Sequence, residues 1–178
     1  MNHIITSRNE ILNQCKDMFI KNGHASLNIR LVALECGVST GTIYNYFESK
    51  TELVEAVIES IWNEIFQHPK TLDTISDCIQ WLYDCLDYGN QKYPGFFTFH
   101  SFGNKEFGKV RMHEIWNHIL ECLTHVLKSD PNIDFCVFNE QFTPEKYANI
   151  IFSIFLADMI RQEDNREMLL EMIKRTVY

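Results

Sequence analysis

Apolar residues along this chain recur three and four positions apart, between polar runs and turn residues, and no confident strand can be drawn through them. Ser7 with Glu10 three residues on forms a capping box, and Ile11, Leu12, Cys15, Met18 and Phe19 follow at helical spacing until Asn22-Gly23, which predicts a helix over 8–22. Asn28 suits the cap of a short helix with Ile29, Val32, Ala33 and Cys36 on one side, and Gly37 supplies a left-handed exit. Ser39 opens a third helix expected to reach about Phe47. Ser49-Lys50-Thr51-Glu52 repeats the capping box and opens a longer one through Leu53, Val57, Ile61 and Ile65, which His68-Pro69 ends near Phe66.

Helical patterning resumes from about Thr71 to Gln91, with Ile75, Cys78, Ile79, Leu82, Cys85 and Leu86, and breaks at Tyr93-Pro94-Gly95. A short aromatic segment then leads to a helix from about Lys109 to Lys128, closed by Asp130-Pro131. Thr143-Pro144-Glu145 suits another helix start, and the run from Tyr147 to Arg161 is apolar over much of its circumference, so it needs cover on several sides. Met168, Leu169, Met172, Ile173 and Val177 mark a last amphipathic helix. The fold class is all-α, with eight or nine helices.

Composition narrows the function. The 178 residues, 46% of them hydrophobic and 22% charged, are enough to bury a core and exclude disorder. No apolar stretch approaches the ~20 residues of a membrane span: Ile150 to Ala157 is interrupted by Ser153 and followed by Asp158. The first residues lack a basic region followed by a long apolar run, so the expected location is the cytoplasm. Six cysteines without a C-x-x-C pair fit small buried hydrophobes better than a disulfide framework. A net charge of −8 argues against a protein that coats nucleic acid or membrane. The charge is uneven, however. Residues 1–50 set Arg8, Lys16, Lys21, Arg30 and Lys50 against Glu10, Asp17, Glu35 and Glu48, so the rest of the chain carries the whole acidic excess.

Two short helices joined by a glycine turn make a helix-turn-helix, whose second helix is shaped for a major groove. Ile43 and Phe47, four apart, can pack inward, while Thr40, Thr42, Tyr44, Asn45 and Tyr46 largely point elsewhere. Gly41 permits close approach of the backbone to another surface, and Lys50 joins a cation to the free N–H groups of a helix start. Here the sequence resembles the TetR family of transcriptional repressors, through Val32-Ala33, Gly37-Val38-Ser39, Gly41-Thr42-Ile43-Tyr44-Asn45-Tyr46-Phe47 and Ser49-Lys50-Thr51-Glu52-Leu53. The resemblance covers about residues 5–65, with Asn28 in place of the usual Thr or Ser cap and Cys36 in place of the usual Ala. It implies a three-helix DNA-binding head over 1–48 and a helical ligand-binding and dimerisation domain over 49–178. It also implies base contacts from Arg30, Thr40, Gly41 and Thr42, and phosphate contacts from Asn28, Tyr44, Tyr46 and Lys50. The residue types suit that division, since Arg forks onto guanine and Thr meets a thymine methyl, whereas Tyr hydroxyls and Lys suit backbone oxygens. A core aromatic at Tyr46 and a solvated charge at Arg30 are the plainer alternatives.

Gly37-Val38-Ser39-Thr40-Gly41 also satisfies the G-x-S-x-G pattern of hydrolases, but that elbow needs a strand before the serine, where this sequence reads as helix. No enzyme and no cofactor are expected. His118, Cys122 and His125 fall at i, i+4 and i+7 of one helix, a spacing that suits a transition metal, although a helix flank with a packed cysteine explains them as well. In the resembling family the middle helices surround an effector. Trp81, Tyr83, Cys85, Tyr88, Phe96, Phe99, His100, Phe102 and Trp116 would line a chamber for a small, mostly apolar molecule, where a filled core is the alternative. The expected partners are a double-stranded operator, that effector and a second copy of the chain. The two C-terminal helices would form the dimer, with Ile154 and Phe155 as candidate central residues, and no membrane partner is expected.

Overall fold

Eight α-helices and two single-turn 3-10 segments account for the regular structure of the described residues, with no strand among them. The computed structural model describes residues 7–67, 72–97 and 109–178, the side chains of 109–113 excepted. The helices are α1 (Arg8–Asn22), α2 (Ile29–Cys36), α3 (Thr40–Tyr44), α4 (Lys50–Ile65), α5 (Ile75–Lys92), α6 (Lys109–Ser129), α7 (Pro144–Arg161) and α8 (Arg166–Val177). The starts follow from local chemistry. Ser7 and Glu10 close the expected capping box, and Thr143 caps α7 with Pro144 in its first turn. α5 starts at Ile75, later than the periodicity suggests. Thr74 and Asp77 form a reciprocal cap there, each accepting the other's backbone N–H at 3.1 Å.

The chain divides into two units, one of Met1–Ile65 with Gly89–Met112 and one of Phe66–Tyr88 with His113–Tyr178. In the first, α1 packs on α2 and on α4, and α2 on α3. Ile11, Cys15, Val32, Ile43, Leu53, Val57 and Ile61 are almost wholly buried between them. Trp62 lies against Phe96 and Phe97 at 5.4 and 5.5 Å, and Phe19 meets Phe96 at 5.9 Å. Each fully buried ring contributes roughly 1.5–3 kcal/mol through area removed from water. Gly89 makes this possible, because a Cβ there would sit 2.6 Å from the Phe97 ring. Glu64 joins Lys16, at 2.7 Å, and Lys92.

The second unit is built around two buried carboxylates. Asp158, 3% exposed, accepts from the Tyr83 hydroxyl and from the backbone and side-chain N–H groups of Asn165 at 3.2 and 2.8 Å, which ties α5 to the α7–α8 turn. Arg166 lies over the Tyr83 ring and pairs with Asp84 and Asp87. Asp130 is wholly buried and accepts from the Ile75 and Asn132 backbone N–H groups at 3.1 and 2.9 Å, from the Asn132 amide and from the Tyr178 hydroxyl. Burial alone would raise its carboxyl; these bonds outweigh burial and hold it below the ordinary value. Among the described residues no helix is long and apolar enough to cross a membrane.

Candidate nucleic-acid interface

The turn between α2 and α3 is fixed by three residues. Gly37 takes φ 69° and ψ 28°, its N–H returning to the Leu34 carbonyl at 3.1 Å and that of Val38 to Ala33 at 3.0 Å, so the left-handed exit falls where glycine permits it. Ser39 is extended, and its hydroxyl accepts the Thr42 N–H at 3.0 Å. That hydroxyl also bonds the Thr42 side chain at 3.0 Å. Ser39 is therefore a helix cap preceded by a helix, and the nucleophile-elbow geometry is not formed.

α3 is shorter than its pattern suggests, ending at Tyr44 instead of near Phe47. The amides of Tyr46 and Phe47 both return to the Ile43 carbonyl, at 3.0 and 3.1 Å, and this tight turn carries Phe47 into the core at 1% exposure. Of the five α3 residues only Ile43 is buried. Thr40, Gly41 and Tyr44 face solvent, Tyr44 at 52% exposure, while Thr42 and Tyr46 are half-buried. The plain alternative of a core aromatic at Tyr46 is thus only partly met.

The flanking residues sit at two further helix starts. Asn28 caps α2, its side-chain oxygen accepting from the backbone N–H groups of Arg30 and Leu31 at 3.0 and 3.1 Å, and Arg30 is exposed at the second residue of that helix. Lys50 is exposed at the first residue of α4, where Ser49 accepts the Glu52 N–H at 3.0 Å and the Glu52 carboxylate accepts that of Glu48. Partial burial and the nearby Lys50 cation hold the His24 imidazole below its ordinary range, which favours the neutral ring there. Arg8 was not singled out by sequence reasoning. Its guanidinium lies 5.0 Å from the Phe47 ring centre, a tertiary contact that no local pattern signals.

The proposed effector residues divide between the units. Phe96 is fully buried in the first, packed on Phe19, Trp62 and Phe97. In the second, Tyr83 is buried against Phe155 and Cys85 is buried, Trp81 and Trp116 are half-buried, and Tyr88 is 39% exposed. Phe99, His100 and Phe102 lie outside the described residues. A groove of the same unit is lined by Asn117, Glu121, His125, Lys128, Glu145 and Asn149, none of them among the expected effector residues. His118 and His125 are exposed, whereas Cys122 is half-buried. Among the described residues no group of three His, Cys, Asp or Glu side chains is placed to hold a metal ion.

A glycine-turned helix pair showing a short polar helix to solvent, followed by all-helical structure, defines a helix-turn-helix protein. Residues 11–57 match the family of bacterial regulatory proteins, tetR family. The HTH-type transcriptional regulator UidR of Escherichia coli is 36% identical over 52 residues, covering 29% of this chain and 26% of UidR. The match thus spans about a quarter of that relative. Among solved structures, BioQ with its double-stranded DNA operator is 14% identical at a TM-score of 0.62, covering 94% of this chain and 97% of BioQ. FadR from Bacillus subtilis, solved with stearoyl-CoA, is 14% identical at a TM-score of 0.62, covering 97% of this chain and all of FadR. At these identities the likeness is one of fold, and it extends over nearly the whole chain.

Proposed function

We propose that the chain is a ligand-responsive transcriptional regulator, a repressor that binds a palindromic operator as a homodimer and is released by a small, mostly apolar effector. One observation carries the DNA-binding part: α3 buries Ile43 alone and leaves Thr40, Gly41 and Tyr44 exposed beside the cation-bearing start of α4. Arg30, Thr40, Gly41 and Thr42 read base edges in this proposal, and Asn28, Tyr44, Tyr46 and Lys50 hold phosphates. Asn28 does so through its amide, since its oxygen is occupied by the cap. Residues 1–48 form the reading head, with α4 packed on α1 behind it.

Dimerisation is supported by the apolar residues that α7 and α8 leave uncovered, Ile150, Ile160, Met168 and Met172, each more than 40% exposed. Phe155, 1% exposed, faces its own unit's core, and Ile154 is half-buried, so the exposed pair on α7 is the better probe. Two heads must enter successive major grooves ~34–36 Å apart, so a ligand that favours another spacing lowers operator affinity. The aromatic residues of α5 and α6 support an apolar ligand, and FadR, of the same fold, was solved with an acyl-CoA.

The test is selection of bound sequences from a random DNA pool, with affinities measured on the enriched sites. A palindrome with half-sites one helical turn apart is expected. Enrichment of no sequence over the starting pool would overturn the proposal.

A further inference from the structure

The start of α1 lies against the turn that carries two of the proposed phosphate residues. Arg8, the first residue of α1, is exposed, and its guanidinium sits over the Phe47 ring at 5.0 Å from the ring centre. Phe47 is 1% exposed, and its amide returns to the Ile43 carbonyl at 3.1 Å. The ring is therefore a fixed platform, set in the chain between Tyr46 and Lys50. A cation far away in sequence is thus brought to the corner where α3 gives way to α4.

Two observations leave this guanidinium available to a further partner. A guanidinium held over a ring spends none of its five N–H donors on an oxygen, and its planar fork matches two oxygens of a phosphate. The carboxylate two residues on is engaged elsewhere: Glu10 accepts the Ser7 N–H and hydroxyl at 3.0 Å each, as half of the capping box. Among the described residues no ion pair joins Arg8 to a carboxylate. Lys16, further along α1, is placed differently, with its side chain only 15% exposed and paired to Glu64 at 2.7 Å.

We propose that Arg8 binds a DNA backbone phosphate, extending the interface from α3 and the start of α4 to the start of α1. This rests on the DNA-binding reading above and adds a residue from outside the helix-turn-helix. Phe47 fixes the guanidinium before DNA arrives, so the contact avoids much of the ordering cost of a long, unanchored cation. A phosphate contact reads no base, so Arg8 supplies register and affinity without sequence preference.

The experiment compares the full chain with Arg8→Met and Arg8→Lys on two duplexes, the operator enriched by selection and a shuffled sequence of equal length. Affinities are read by fluorescence anisotropy at several salt concentrations. Methionine keeps an unbranched stem over Phe47 but no charge or donor. In Arg8→Met the slope of log affinity against log salt is expected to fall by about one for each head bound, on both duplexes alike. Operator affinity should drop at least ~10-fold with base preference unchanged. Arg8→Lys, which keeps the charge and loses the fork, should retain the slope and fall between the two in affinity.

A second measurement replaces single operator phosphates by neutral methylphosphonates. The wild type should lose affinity at one phosphate to which Arg8→Met is indifferent, while both stay sensitive at others. The loss in Arg8→Lys should be confined to that same phosphate, which keeps the test decisive if Arg8→Met folds poorly. A purely structural contact gives the contrary set: a lower Tm in Arg8→Met, with the wild-type slope and phosphate map. That result would overturn the proposal, as would wild-type affinity and slope in a folded Arg8→Met. Wild-type protein that binds neither duplex would sink the DNA-binding reading, and this contact with it.

Discussion

Gly41→Ala separates what the fold needs from what the DNA needs. An ideal Cβ at Gly41 meets the Ser39 hydroxyl at 3.5 Å, an ordinary contact, with no other described atom within 4 Å, and the backbone there is not left-handed. The fold therefore does not require glycine. Alanine at this second helical position should stabilise the protein by about 0.4–1 kcal/mol, through lower unfolded-state entropy and better helix propensity. For a chain of this size that raises Tm by roughly 1–4 °C. The same methyl group stands on the exposed face that the proposal sets against DNA. A loss of ~10-fold in each head, about 1.4 kcal/mol apiece, would weaken a dimer's operator binding about 100-fold. Thermal denaturation followed by circular dichroism and operator titration by fluorescence anisotropy at fixed salt read the two effects separately. Gly37→Ala is the control: at φ 69° a side chain is strained, and that variant should lose roughly 1 kcal/mol of stability. A lower Tm for Gly41→Ala would make the glycine structural, and a higher Tm with unchanged operator affinity would remove α3 from the DNA surface.

Lys50→Ala should lower the slope of log affinity against log salt by about one and weaken all operators alike, whereas Arg30→Ala should cost on the order of 1–3 kcal/mol at one base position; titrations at several salt concentrations on variant operators check both. Ile150→Asp or Met168→Asp, at exposed positions, should leave the thermal fold of the protomer intact yet weaken dimerisation at least ~10-fold, read by sedimentation velocity; a dimer unchanged at micromolar concentration would refute the α7–α8 interface. Asp130→Ala leaves the Ile75 and Asn132 N–H groups and the Tyr178 hydroxyl without their acceptor, and should cost about 3 kcal/mol in urea denaturation. Because its folded carboxyl lies below the unfolded value of ~3.9, Asp130's contribution is fully present above that pH and is lost as pH falls through the folded value, so the wild type should lose more stability on acidification than Asp130→Asn.

The head was legible because its determinants are local. A cap acts over three residues, as Ser7 on Glu10 and Ser39 on Thr42 do, and Gly37 answers a need for one left-handed residue, so spacing and residue type were enough to place α1 to α4. The start of α5 was missed although its cap is equally local. Thr74 and Asp77 were in view, but the helical pattern was drawn back to Thr71.

In the second unit the sequence by itself determined that helices form, through their period, but not which side of each is covered. α7 is apolar around much of its circumference, and only packing decides that Phe155 turns inward against Tyr83 while Ile150 stays exposed. The buried carboxylates show the same limit. In the sequence Asp158 only follows an apolar run and Asp130 only closes a helix with Pro131, yet each is buried because donors arrive from residues as distant in the chain as Tyr83 and Tyr178. Cys122 was grouped with His118 and His125 by helical spacing, yet the fold leaves both histidines exposed and Cys122 half-buried, and among the described residues no three such side chains are placed to hold a metal ion. Spacing records neighbours within a turn or two, whereas a contact across 40 or more residues is chosen by the burial of apolar faces and the satisfaction of buried polar groups, which exist only once the helices have packed.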